Sequence, residues 1–189
     1  MEQIKLITVD DIKKVRAISN VINADKEIMP FVYEIQDTVI KEMLGEELYY
    51  DLMINYDGEE TGNTTPTKYL ELLNGKQYEH NGKNYIFNGL KQIIAYYSYY
   101  SFIKQWGLHI TNAGIVVKSG DMSLPAEDAS RGRMLADVKQ KLIVFVKDLE
   151  RFLCRNSETY TLYNLRCNTH VEGGSVTFLA SKSRETEEW

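Results

Sequence analysis

From about Ala126 to Arg155 the chain carries Leu135, Val138, Leu142, Phe145, Val146, Leu149, Phe152 and Leu153 at spacings dominated by three and four. That period traces one face of an α-helix. A long helix with a single apolar face needs other elements to cover it, so the pattern predicts a helical bundle. Arg131, Arg133, Lys139, Lys141, Lys147, Asp148, Glu150 and Arg151 take the polar side.

A second long helix is predicted from Leu90 to about Trp106. Ile93, Ile94, Tyr97 and Tyr100 share one face, but Tyr96, Tyr99 and Phe102 make it aromatic nearly all round. Such a helix must be buried on most sides, either centrally in a bundle or between subunits. A stacking platform for single-stranded nucleic acid would also need a basic groove, and only Lys91 and Lys104 flank the run. Core packing and a subunit interface both suit tyrosine, and both readings stay open. Tyr96, Tyr99 and Tyr100 are accordingly candidate subunit-interface residues.

Shorter elements surround these two. Thr8 with Asp11 three residues later resembles a capping box, predicting a helix to about Ser19 with Ile12, Val15 and Ile18 inward. Asn23 or Asp25 can cap the next helix, on which Ile28, Val32, Ile35, Val39 and Met43 trace one face. Pro30 belongs in its first turn and Gly45 at its C-terminal cap. Leu48, Tyr49, Leu52 and Met53 form a further short helix. Residues 57–66 read as a polar, mobile loop. Tyr69, Leu70, Leu72 and Leu73 then make one or two helical turns ended by Asn74-Gly75. Asn81-Gly82 between aromatic-bearing segments predicts a β-hairpin near 77–87. Ile115 to Val117 reads as a strand or extended loop.

The predicted fold is therefore mainly α: a small bundle of four to five helices with a β-hairpin insertion and an extended C-terminal tail. Residues 1–155 make the helical domain. Residues 156–189 have apolar and aromatic anchors but too few residues for a core of their own, and are expected to dock on another surface. Tyr160, Tyr163, Leu165, Val176 and Phe178 are the interface candidates there.

The 189 residues are 43% hydrophobic and 26% charged, an ordinary globular balance. No apolar run approaches the roughly 18–20 residues of a membrane-spanning helix. The acidic, amphipathic N-terminus does not look like a signal peptide. Cys154 and Cys167 are accordingly expected to be reduced thiols in a protein made in a cytoplasm. A formal net charge of -5 argues against a nucleic-acid coat, though an acidic wall would let duplex DNA slide past.

No motif carries chemistry. His80, His109 and His170 do not stand at ligand spacing, and the neighbouring acids Asp10/Asp11 and Glu46/Glu47 do not face each other on a helix. Asp57-Gly58-Glu59-Glu60 lacks the alternating ligands of a calcium loop. No catalytic, metal or cofactor residue is assigned, and an enzyme is not expected.

Several local patterns, taken in order, do resemble a known group. They are Ile18-Ser19-Asn20, Asn23-Ala24-Asp25, Pro30, Glu34-Ile35-Gln36-Asp37, Leu44-Gly45-Glu46-Glu47-Leu48-Tyr49 and Tyr69-Leu70-Glu71-Leu72-Leu73-Asn74-Gly75. Gly89-Leu90-Lys91, Ala95-Tyr96-Tyr97-Ser98-Tyr99 and Thr111-Asn112-Ala113-Gly114-Ile115-Val116 follow. Over about residues 6–165 the chain resembles head-to-tail connector (adaptor) proteins of tailed phages, of the Bacteroidetes-infecting and crAss-like type. The order and spacing carry the likeness, since each segment alone is a cap, turn or packing pattern. The resemblance implies a structural virion protein of the neck, made in the bacterial host cytoplasm. It implies a homo-oligomeric ring, commonly twelve-fold, below the portal protein, receiving the next ring or tail protein. Duplex DNA would pass through its lumen without specific binding. The alternatives are another neck or tail-completion protein, or a small non-catalytic helical interaction or regulatory module.

Overall fold

The computed structural model describes residues 4–16, 23–58, 64–105, 108–111, 114–117, 128–163 and 167. The protein is mainly helical, with small antiparallel hairpins. In chain order the helices are α1 (Val9–Val15), α2 (Ala24–Glu27), α3 (Met29–Ile35), α4 (Lys41–Leu44), α5 (Glu46–Asn55), α6 (Thr67–Asn74), α7 (Leu90–Gln105) and α8 (Asp128–Arg155). Strands β1 (Lys76–His80) and β2 (Lys83–Phe87) lie between α6 and α7. Strands β3 (Leu108–Thr111) and β4 (Gly114–Val117) lie between α7 and α8. A π turn, Gln36–Ile40, joins α3 to α4, and a 3-10 turn, Thr161–Tyr163, follows α8.

Helix α7 is the axis of the bundle, with α1, α3, α6 and α8 packed around it. This explains its aromatic circumference: Leu90, Ile93, Ile94, Tyr96, Tyr99 and Phe102 are all buried against different neighbours. Val138, Leu142, Val146, Leu149, Phe152 and Leu153 of α8 are buried as their spacing predicts, while Leu135 and Phe145 are half-buried.

The N-terminal helix is built as its sequence directs, but it is shorter. The Thr8 hydroxyl accepts from the Asp11 N–H and the Asp11 carboxylate accepts from the Thr8 N–H, which closes the capping box. Burial works against the Asp11 charge, but the Thr8 N–H and hydroxyl and the Lys14 ammonium outweigh it and lower its pKa. The helix ends at Val15, where Arg16 turns extended; Ile18 lies outside the described residues. Asn23 caps α2 through its side-chain oxygen, which accepts from the Lys26 N–H at 3.3 Å.

The stripe expected at Ile28, Val32, Ile35, Val39 and Met43 breaks in its second half. Ile28, Val32 and Ile35 are buried, but the inward positions then become Gln36, Ile40 and Leu44, with Val39 and Met43 half-buried. The π turn inserts one residue into the helical period, so every later side chain moves one position. What occupies the gained inward position is a polar group. The Gln36 side-chain oxygen accepts from the Leu6 N–H at 2.9 Å, and its amide donates to the Ile4 carbonyl at 3.0 Å. The side chain thus pairs with the N-terminal arm as a neighbouring strand would, and holds Leu6 and Ile7 in the core. Burying a carboxamide without such partners would cost roughly 1–3 kcal/mol.

The hairpin near 77–87 forms as Asn81-Gly82 predicts. Both residues have positive φ, 52° and 71°, as a tight primed turn requires. Lys76 pairs with Phe87 and His80 with Lys83 at its two ends. Aromatic rings fasten it to the end of α8. Phe152 stacks on Phe87 at 4.3 Å and meets Tyr78 edge-on at 5.2 Å, while the Arg155 guanidinium lies 3.9 Å over Tyr85. The segment at 115–117 is strand β4, paired antiparallel with β3 in a second hairpin.

Candidate functional site

Of the tyrosines named as interface candidates, Tyr96, Tyr99, Tyr160 and Tyr163 are buried within this chain and Tyr100 is half-buried. Tyr96 packs on Phe145 at 5.2 Å beneath the Arg16 guanidinium, and the Tyr99 hydroxyl faces the Met134 sulfur. Both belong to the chain's own core; Tyr100 and Tyr97 are half-buried. Tyr160 and Tyr163, 2% and 4% exposed, also lie in the core. Tyr160 packs 5.5 Å from Phe152 and donates its hydroxyl to the Lys68 carbonyl at 2.7 Å. These side chains have almost no surface left to offer a partner. Leu165, Val176 and Phe178 lie outside the described residues.

Packing continues past residue 155: Tyr160 lies against Phe152 at the end of α8, and the 3-10 turn that follows it lies on α5. Cys154 and Cys167 form a disulfide, with Cα atoms 5.5 Å apart. The expectation of two reduced thiols is thereby corrected. Composition and compartment arguments cannot see that Cys167 lies beside Cys154 of α8.

A network of tyrosine–carboxylate contacts holds the short helices in place. Tyr49 donates to Asp37 at 2.9 Å, and Tyr69 donates to Asp51, which Lys68 approaches at 3.5 Å. Burial, and then the adjacent carboxylates, raise the pKa of Tyr49 and Tyr69 above the ordinary phenol value; burial and Glu71 do the same for Tyr160. Burial and nearby Glu42 push Tyr97 up to about 12. In the Tyr49–Asp37 and Tyr69–Asp51 pairs the neutral phenol is the donor, and the two bonds tie α5 to the π turn and to α6. The Asp57 carboxylate accepts from the Thr64 N–H, at 2.7 Å, and from the Thr64 and Thr65 hydroxyls, both at 2.6 Å. Those bonds draw its pKa down to about 2 and close the neck of the loop predicted at 57–66. Residues 59–63 of that loop and all of 118–125 lie outside the described residues.

Among the described residues no group of three or more His, Cys, Asp and Glu is placed to hold a metal ion, and no helix is long and apolar enough to cross a membrane. The surface instead offers exposed apolar side chains on otherwise polar helix faces. They include Ile54 and Tyr50 on α5, Val144 on α8 and Ile86 on β2. Sequence reasoning passed over these residues because each falls off the buried stripe of its element. That displacement was the available signal: an apolar residue on the helix side opposite the core face is not covered by the bundle.

Fold and surface together define a mainly helical protein whose aromatic side chains are largely packed inside and which leaves a few apolar side chains exposed. By sequence the chain belongs to the family described as "Family of unknown function (DUF6712)", whose model matches residues 40–173, well over half its length. No curated protein matches it, and no solved structure matches it.

Proposed function

We propose that this protein is a non-catalytic structural subunit of a tailed-phage virion, forming a ring between the portal and the tail. The ring extends the DNA channel and receives the next component of the stack. The observation that carries the assembly part is the outer surface: Ile54, Tyr50 and Val144 stand exposed in the middle of charged helix faces, the anatomy of a contact patch with an apolar centre and polar rim. The ordered segments from Ile18 to Val116 supply the connector reading, and a mainly helical fold agrees with it. The disulfide fits a protein made in a reducing cytoplasm whose bridge closes once the particle leaves the cell.

Co-expression with the portal protein tests the reading. A stable complex of defined mass, together with the protein's presence in purified virions, is the expected result. Absence from virions would overturn it. Purified rings should release duplex DNA at physiological salt, because an acidic lumen repels phosphate; retention would remove the channel role.

A further inference from the structure

Charge is segregated between two parts of this surface. From Asp25 to Asp57 the chain has nine carboxylates against two lysines, whereas α8 has seven Lys and Arg against four carboxylates. On α5, Glu46, Tyr50 and Ile54 follow at intervals of four with Glu47 beside them. All are exposed, Tyr50 by 50% and Ile54 by 82%. On α8, Gln140, Val144, Lys147 and Arg151 follow at four, three and four. All are again exposed, Val144 by 55%. Each face has an apolar centre with an unequal charge border: acidic around Tyr50 and Ile54 apart from Lys41, and basic in excess around Val144, where Lys141, Lys147 and Arg151 stand with Asp137 and Asp148.

Local pairs on both faces are individually weak. Lys41 meets Glu46 at 2.9 Å, donates to the Tyr50 hydroxyl at 2.9 Å and lies 4.8 Å over its ring, while Arg151 meets Asp148 at 3.2 Å. Partly exposed ion pairs of this kind are worth at most about 1 kcal/mol. Those charges can exchange partners at little cost. Like faces would repel, so a symmetrical α5–α5 or α8–α8 contact is disfavoured.

We propose that the α5 face of one copy docks on the α8 face of a second copy, head to tail. The contact is heterologous: each copy uses one face and leaves the other free, so the interaction propagates and closes into a ring where the rotation allows. The inference rests on the ring reading above for closure only.

Sedimentation of the full chain over a range of concentrations and salt tests it. Association should grow with concentration and weaken roughly tenfold or more from low to high salt, as screened charges require. Glu46→Lys with Glu47→Lys, and separately Lys147→Glu with Arg151→Glu, should each abolish association. Mixing the two variants in equal amounts should restore it, since each altered face then meets its opposite. Exposed, uncharged replacements, Ile54→Ser and Val144→Ser, should each weaken association by about tenfold, the loss of one buried aliphatic contact. An unaltered chain that stays monomeric at low salt, or reversals that leave association intact, or a mixture that fails to restore it, overturns the contact. Electron microscopy of the assemblies separates the two readings. Open chains that obey the charge swap keep this contact and discard the ring. Closed rings that survive both reversals keep the ring and discard the contact.

Discussion

Gly75 and Gly89 pass each other backbone to backbone at the root of the β1–β2 hairpin, both in the left-handed region with φ of 86° and 91°. A Cβ on Gly75 would lie 2.8 Å from the Gly89 nitrogen, and one on Gly89 would lie 2.7 Å from the Gly75 nitrogen. The exit of α6 and the start of α7 are thereby crossed as tightly as backbone permits. Gly75→Ala or Gly89→Ala should each cost about 2–4 kcal/mol, combining backbone strain with a clash that no side chain can relieve. Gly45→Ala has a positive φ but open space around it, and should cost only about 1–2 kcal/mol. Urea unfolding midpoints compare them; equal losses at the three sites would refute the crossing.

Gln36 should prove more important than any other polar side chain of the N-terminal half. Gln36→Met keeps the volume and removes both hydrogen bonds, leaving the buried Leu6 N–H unpaired and the partly exposed Ile4 carbonyl without its donor. A loss of about 2–3 kcal/mol is expected. Amide exchange at Leu6 should accelerate beyond the global change. Protection at Leu6 that persisted in the variant would show that the arm is held by packing alone.

Reduction should destabilise the protein without unfolding it. A bridge over a sequence separation of 13 is worth about 3 kcal/mol by loop closure. Adding a thiol reductant should therefore lower the urea midpoint, and Cys154→Ser should match the reduced protein and ignore the reductant. An unchanged midpoint would mean that the two sulfurs are not bonded in solution.

Alkaline pH should unfold the bundle through its phenols. Tyr97 has its pKa raised from 10.0 to about 12, and Tyr49, Tyr69 and Tyr160 are raised too. A raised folded-state pKa gives stability that is complete below pH 10 and lost as pH climbs through the folded value. Tyrosinate absorbance should show several of the thirteen tyrosines titrating late, together with loss of helix. Smooth titration of all of them near pH 10 would contradict the burial described above.

Acid should loosen the neck of the 57–65 loop, in the opposite sense. The Asp57 pKa is depressed from 3.8 to about 2, so its contribution is intact above pH 3.8 and disappears as pH falls through 2. Asp57→Asn should remove that pH dependence while leaving the bundle folded. Exchange rates at the Thr64 amide, followed down to pH 2, provide the measurement; identical profiles in the two proteins would sink the assignment.

The chain's own sequence determined what depends on neighbours a few residues away. The Thr8–Asp11 capping box, the Gly45 cap, the Asn81-Gly82 turn and the apolar stripe of α8 are local agreements between side chain and backbone, and they are present where the pattern places them. The tertiary structure decided what depends on contacts far along the chain. Gln36 is inward because a segment 30 residues earlier supplies its partners, and the π turn that admits it shifts the stripe behind it. Tyr96, Tyr99, Tyr160 and Tyr163 could serve a core or an interface equally well by composition; only the arrangement of α1, α3, α6 and α8 around α7, and the contacts of Tyr160 with Phe152 and of the 3-10 turn with α5, made them core. Ile54 and Val144 became the exposed positions by the same process. Once a bundle selects one face of each helix for burial, the apolar residues left on the opposite face are available for contacts between molecules.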